Sequence, residues 1–274
     1  MTRLLRGALA ASILGGLALP GWASAQERCL PVERGDGNSP IVMARVDREG
    51  PFAFVLDTAS SGTTLDERTV ARLGLPPDVT EQAEGLGGAF GVRLFRSTLI
   101  EAGPLSLSDV PVPQAPVPRF ESHDVVGLAG VDLLGERLAV WRPGTGCVGL
   151  MAAGGRPEGD GWVETGVDWI QAWKILVPVR IGAVEGFALL DTGAQRTVMN
   201  RPFAAVLVLT EASGRLRPAG EMIGLDGRPR SLLQAEVADV AIGPWAWATA
   251  TVNVGNLAVF SRLGAPERPL MVLG

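Results

Sequence analysis

Apolar residues in this chain come in short β-prone runs broken by Gly, Pro and charged residues, and two stretches repeat one pattern. Ile41 to Val46 is followed by the turn Asp47-Arg48-Glu49-Gly50-Pro51 and by Phe52 to Leu56. Ile175 to Ile181 is followed by a turn at Gly182 to Gly186 and by Phe187 to Leu190. Both read as β-hairpins, with turns that differ by about one residue. Each second strand runs into the same polar ending. The first is Phe54-Val55-Leu56-Asp57-Thr58-Ala59-Ser60, and the second is Ala188-Leu189-Leu190-Asp191-Thr192-Gly193-Ala194.

The match continues past the aspartates at a constant offset of 134 (191 − 57). Thr63 aligns with Thr197, Leu65 with Met199, Asp66 with Asn200, Leu73 with Leu207 and Leu75 with Leu209. Asp66 and Asn200 are good helix N-caps, and Pro202 suits a first helical turn. Each aspartate turn is therefore expected to lead into a short strand and a short helix. This is an internal duplication.

Glycine-rich turns follow in both halves. Gly85-Leu86-Gly87-Gly88 leads into a strand at Val92 to Ile100, and Gly224-Leu225-Asp226-Gly227 into one around Ser231 to Ile242. Their equivalent placement makes them candidates for covering flaps, whereas either alone would read as an ordinary hairpin turn. Pro104 to Pro118 reads as a loop or an edge segment. The first half closes with Val125 to Leu134, then Leu138 to Trp141 and Cys147 to Leu150. The expected organisation is residues 26–150 as an N-terminal β lobe, 151–161 as a Gly-rich linker and 162–274 as a C-terminal β lobe. Val272-Leu273-Gly274 matches Leu128-Ala129-Gly130, so the second lobe is expected to be truncated at its end, or to close differently.

Composition narrows the function classes. The 274 residues carry a formal charge of −5 and are 47% apolar, enough for one large or two small cores. Mild acidity argues against a nucleic-acid partner. Lys174 is the sole lysine, a bias that reads as genomic composition without chemistry of its own. At the N-terminus, Arg3 and Arg6 precede an apolar run from Gly7 to Leu19, and Ala23-Ser24-Ala25 has the form of a cleavage site. Residues 1–25 are thus expected to be a signal peptide, with an uncleaved anchor as the alternative. The mature chain is expected in the periplasm or secreted from a bacterium, with no stable membrane insertion. In such a compartment Cys29 and Cys147 are expected to form one disulfide, with two buried thiols as the alternative. Two cysteines and one histidine make a zinc site improbable, and no cofactor is expected.

The doubled motif, each copy followed by a hydrophobic-hydrophobic-Gly segment (Leu128-Ala129-Gly130 and Val272-Leu273-Gly274), resembles the aspartic peptidases of the retropepsin-like type. The resemblance spans roughly Ile41 to Leu150 and Ile175 to Gly274. It implies a mostly β, bilobal acid-protease fold: two pseudo-symmetric β lobes with short helices, paired within one chain and so monomeric. It implies Asp57 and Asp191 as catalytic residues acting on a peptide or protein substrate, without metal. Two carboxylates about 3 Å apart share one proton, so one can activate water while the other hydrogen-bonds the scissile carbonyl. The resemblance further implies that Thr58 and Thr192 lock the loops together and that Gly87, Gly88, Gly224 and Gly227 belong to flaps.

Four features depart from the family pattern or stand outside it. Ala59 replaces the expected glycine, which is tolerable where φ is negative. The chain has no tyrosine, so a pepsin-like flap tyrosine is excluded. His123 reads as a surface or loop histidine, without a Gly-x-Ser-x-Gly elbow to make it part of a serine triad. Trp162, Trp169 and Trp173 are assigned to core or interlobe packing in preference to a peptide groove. The alternative to a peptidase is a catalytically silent binding or scaffold module, and a two-carboxylate glycosidase is a distant third.

Overall fold

The computed structural model describes residues 27–274 except 118, 143, 171–173 and 265–266. The N-terminal segment expected to be a signal peptide lies outside the described residues, and so does Trp173.

The architecture is mostly β, with two pseudo-symmetric lobes and short helices. In the first lobe the hairpin of Pro40–Val46 and Glu49–Leu56 forms because β-branched and aromatic residues alternate faces across it. Ile41 faces Val55 and Val42 faces Phe54, all fully buried. The strand Val125–Ala129 lies parallel to Glu49–Leu56, with Leu56 opposite Ala129. The second lobe repeats this arrangement. Lys174–Ile181 pairs with Val184–Leu190, which runs parallel to Leu270–Leu273 with Leu190 opposite Leu273. The one-residue difference between hairpins is absorbed by a register shift between Ala44 and Val46.

The parallel third strand matters because it brackets the aspartate loop. Asp57 N–H donates to Ala129 O at 2.9 Å, and Asp191 N–H to Leu273 O at 3.0 Å. Past each loop the chain enters a capped helix. The Asp66 carboxylate accepts from Thr69 N–H ahead of Glu67–Leu73, and Asn200 Oδ1 from Phe203 N–H ahead of Arg201–Val206. The short strand expected before each helix forms in the second lobe as Val198–Met199, whereas in the first it is a single bridge from Leu65 to Gln114.

Each lobe buries its own core. Leu30, Phe54, Leu56, Leu65, Ile100 and Leu133 lie in the first. Met199, Phe203, Val237, Val254 and Met271 lie in the second. A small sheet orders Arg28–Pro31, Cys147–Met151 and Leu138–Trp141, and the Cys29–Cys147 disulfide staples its first two strands. In the second lobe, Lys174–Ile181 also pairs with Pro229–Ile242, curling that sheet back on itself.

After Pro104 the edge alternative is the one that forms: Leu105–Gln114 is a strand paired along Gly88–Ala102. Its prolines are tolerated because an edge strand has one row of N–H groups with no ladder partner. Pro77–Gly85 is also a strand, paired to the same neighbour. Almost every residue in it is exposed, so it has no apolar alternation to read, and only its backbone pairing makes it a strand.

Candidate active site

Asp57 and Asp191 lie at the meeting of the two lobes, each at the end of a buried strand. The loops are joined by four hydrogen bonds that obey the pseudo-twofold. Thr58 N–H donates to Thr192 Oγ1 and Thr192 N–H to Thr58 Oγ1, both at 3.1 Å. The Thr58 hydroxyl donates to Leu190 O at 2.8 Å, and the Thr192 hydroxyl to Leu56 O at 2.6 Å. Each hydroxyl thus spends its donor and one acceptor on the opposite lobe, which fixes the loops in position and orientation.

Within each loop the aspartate is oriented by its own backbone. Asp57 Oδ1 accepts from Ala59 N–H at 2.8 Å and Ser60 N–H at 3.1 Å. Asp191 Oδ1 accepts from Gly193 N–H at 3.0 Å and Ala194 N–H at 2.9 Å. With both inner oxygens so engaged, the two carboxyl groups also hydrogen-bond to each other. Asp191 is buried at 4% exposure, and burial, then the Asp57 charge beside it, hold its carboxyl well above the ordinary carboxylate range. Burial also raises Asp57, opposed by the two N–H groups it accepts and by the hydrogen bond from Asp191. The two carboxyl groups are coupled, so their titration belongs to the pair and not to either aspartate.

The substitution at Ala59 is explained by geometry. Neither Ala59 nor Gly193 has a positive φ, so neither turn requires glycine for its backbone conformation. Close approach decides instead. A Cβ at Gly193 would lie 2.6 Å from Asp57 Cγ, so that position admits only glycine. The Ala59 methyl group packs against the second lobe's cluster around Leu189 and Val198.

Further from the dyad the loops are braced differently. Thr63 in the first lobe donates its N–H and hydroxyl to Asp132, at 2.9 and 2.8 Å. Its counterpart Thr197 bonds the Gly274 backbone, donating its hydroxyl to Gly274 O at 3.0 Å and accepting Gly274 N–H at 3.3 Å.

A cleft of about 1090 Å³ lies above the aspartates, with apolar walls that include Phe90, Val92, Leu94, Leu128 and Leu189. The two glycine turns meet over it. Leu86 at the first tip packs into the second lobe's cluster with Val259 and Phe260, and Leu225 at the second tip packs against Ile41 and Val55 of the first lobe. Leu86 O accepts from Val259 N–H at 3.3 Å, and Arg262 pairs with Glu84 at 2.6 Å. Arg230 pairs with Asp226 at 2.6 Å and donates to Gly87 O at 2.5 Å. Gly88 and Gly227 adopt φ of +127° and +69°, the region where a side chain would strain the turn. Gly224 lies against Asp226 and the backbone of Gly87.

The remaining candidates lie elsewhere. His123 sits in a bend with Nε2 3.1 Å from Glu33 and Nδ1 2.9 Å from Ser122, away from the dyad. Trp162 and Trp169 are 51% and 62% exposed, so the assignment to core or interlobe packing is corrected, and neither lines the cleft. Among the described residues no group of acidic, His or Cys side chains has the geometry to hold a metal, and no helix is long and apolar enough to cross a membrane. Sequence reasoning missed Asp132, Arg230 and Lys174. Of these only Lys174, a unique residue type in the chain, left a signal, and it lines the cleft.

Residues 42–133, within the first lobe, match the family model described as Aspartyl protease. Among solved structures, the chain is similar to a retropepsin-like aspartic protease from Rickettsia conorii, at 15% identity and a TM-score of 0.30, over 41% of this chain and 85% of that one. It is also similar to an aspartic proteinase from Irpex lacteus, at 14% identity and a TM-score of 0.48, over 89% of this chain and 90% of that one. No curated protein matches.

Proposed function

We propose that this chain, whose first lobe matches the aspartyl protease family, is an aspartic endopeptidase that hydrolyses peptide bonds with water activated between Asp57 and Asp191. The observation that carries this reading is the reciprocal lock of Thr58 and Thr192, which holds two hydrogen-bonded carboxyl groups at the floor of a roofed cleft.

The chemistry follows from one proton on two carboxyl groups. The ionised member takes a proton from a water lying between them as the water oxygen forms its bond to the carbonyl carbon. The protonated member gives its proton to the carbonyl oxygen, which stabilises the developing oxyanion. In the second half the proton taken from water passes to the amide nitrogen, the C–N bond breaks, and the carboxyl product returns its hydroxyl proton. Acid, amine and the singly protonated dyad are the outcome. The apolar walls suit an extended peptide, and the flap contacts exclude bulk water while it is held.

The silent-scaffold alternative drew on Ala59 and on the expected truncation of the second lobe, and the ordinary backbone conformation and packing of Ala59 remove the first of these supports. Export also belongs to the proposal. The Cys29–Cys147 disulfide is compatible with an oxidising compartment, and the N-terminal sequence has the form of a signal peptide. With both aspartates in one chain, the working unit is proposed to be the monomer.

The deciding experiment is a peptide-library digest from about pH 3 to 7 beside Asp57→Asn and Asp191→Asn. Cleavage that either substitution abolishes, and that a statine-type analogue inhibits, is the expected result. A wild-type protein that leaves every peptide intact across this range would overturn the reading.

A further inference from the structure

Alternation along Lys174–Ile181, the first hairpin strand of the second lobe, sorts its side chains between two clusters. Ile175, Val177, Val179 and Ile181 enter the lobe core, whereas Leu176 joins the cluster that holds the cleft-lining Leu189 and Val259. Lys174 shares the face of Leu176 and lines the cleft. Continuing the Leu176–Leu189 register by two residues sets it opposite Asp191. The first lobe has no charged counterpart. Continuing the Ile41–Val55 register by two sets Ser39 opposite Asp57, and Ser39 is neutral and 2% exposed. The floor of the cleft therefore carries a cation in one lobe only.

The surroundings of this cation set it apart. Outside the dyad, the other charged side chains lining the cleft among the described residues are Glu81, Glu84, Arg119, Arg196, Glu221 and Arg262, all of them exposed. Glu84 and Arg262 neutralise each other at 2.6 Å, and Arg196 donates to Ala219 O at 2.9 Å. Lys174 is half-buried and takes part in no hydrogen bond or ion pair among the described residues. The dyad does not supply its partner either, since the inner oxygen of each aspartate is held by its own loop. An ammonium withdrawn from part of its water without a partner costs free energy, which an incoming carboxylate recovers. The exposed charges of the rim are screened by solvent and carry far less selectivity.

We propose that Lys174 is a specificity-determining residue that selects peptides with an acidic side chain near the scissile bond, on one side of it only. This names a substrate class for the proposed peptidase and rests on that reading. The ammonium pairs with an Asp or Glu side chain as the peptide enters, so it contributes to binding and not to the bond-breaking step. On the opposite side of the scissile bond, the buried and neutral Ser39 offers no such selection.

The test is equilibrium binding to the full chain at about pH 6, where side-chain carboxylates are ionised. Peptides capped at both ends carry a central statine-type residue, which resists cleavage and fixes the register. Asp, Asn or Lys is placed in turn at each flanking position. Asp is expected to bind about tenfold more tightly than Asn on one side. Lys174→Met should level the two, Lys174→Arg should keep the preference, and Lys174→Glu should turn it towards Lys. A folding defect would weaken every peptide alike, whereas reversal follows from charge. No preference for Asp, an equal preference on both sides, or a preference that persists in folded Lys174→Met would overturn the proposal, as would a failure to bind any of the peptides. A wild-type chain that shows the Asp preference but cleaves no peptide would strike the peptidase reading alone.

Discussion

Arg230 of the second lobe donates to the backbone carbonyl of Gly87 at the tip of the first lobe's flap, at 2.5 Å, while the same guanidinium pairs with Asp226. The flap tips are thus held together by a charge-assisted bond as well as by the exchanged leucines.

Replacing Arg230 by Met should therefore loosen the roof. A hydrogen bond from a charged group contributes about 1.5–3 kcal/mol, equivalent to roughly ten- to hundredfold in the local opening equilibrium. Hydrogen exchange measured by mass spectrometry should accelerate by about that factor at residues 85–88. Because Met alone leaves the buried Asp226 carboxylate unpaired, the pair Asp226→Asn with Arg230→Met separates latch loss from that penalty. Unchanged exchange in both proteins would contradict a latch.

The two loop positions after the threonines should respond in opposite ways. Gly193→Ala drives a methyl group against the Asp57 carboxyl and displaces it. Misplacement of a reacting group by about 1 Å costs on the order of a hundredfold, so kcat/KM should fall by at least that factor. Ala59→Gly removes a small packing contact and should cost about 1 kcal/mol of stability with activity retained. Denaturant melts and peptide assays on the two variants check the contrast.

The dyad should make the fold less stable as pH rises. Both aspartates have folded-state pKa values raised above the ordinary 3.8, so the native state holds its proton more tightly than the unfolded chain. That contribution is fully present below 3.8 and is lost as pH rises through the folded values. Asp47 and Asp226 act in the opposite sense: hydrogen bonds hold both below 3.8, so their contribution is present above it and fades in stronger acid. Asp191→Asn should melt close to wild type near pH 3 and several degrees above it near pH 7, a difference of about 1–2 kcal/mol, as read by calorimetry. A constant difference across that range would contradict a raised pair.

Reduction of Cys29–Cys147 should destabilise the first lobe. The bridge spans 118 residues. A closed loop of this length contributes about 4–5 kcal/mol in the chain-entropy model. The urea midpoint should fall accordingly in reducing buffer, and equally in a Cys29→Ala/Cys147→Ala protein.

The duplicated half-sites were legible because local chemistry writes them. A buried strand needs consecutive apolar residues, and a loop that approaches its twin needs small residues after Asp-Thr. Capping needs Asp66 and Asn200. These requirements act within a few residues, and the constant offset between copies exposes them. Pro77–Gly85 and Leu105–Gln114 were not legible in the same way, because exposed or proline-bearing strands are held by backbone pairing to a neighbour distant in sequence.

The sequence by itself determined two related β lobes, each delivering one aspartate with its threonine, and two glycine turns fit to cover them. Tertiary structure alone decided how the lobes treat each other. It set Gly193 against Asp57 while giving Ala59 room, crossed Leu86 and Leu225 into opposite lobes, and tied Arg230 to Gly87. Each of these relations joins residues more than a hundred positions apart, through distances that no local pattern encodes. The physical reason is that hydrogen bonds, charges and packing act through space, so their partners are fixed only when both lobes are folded.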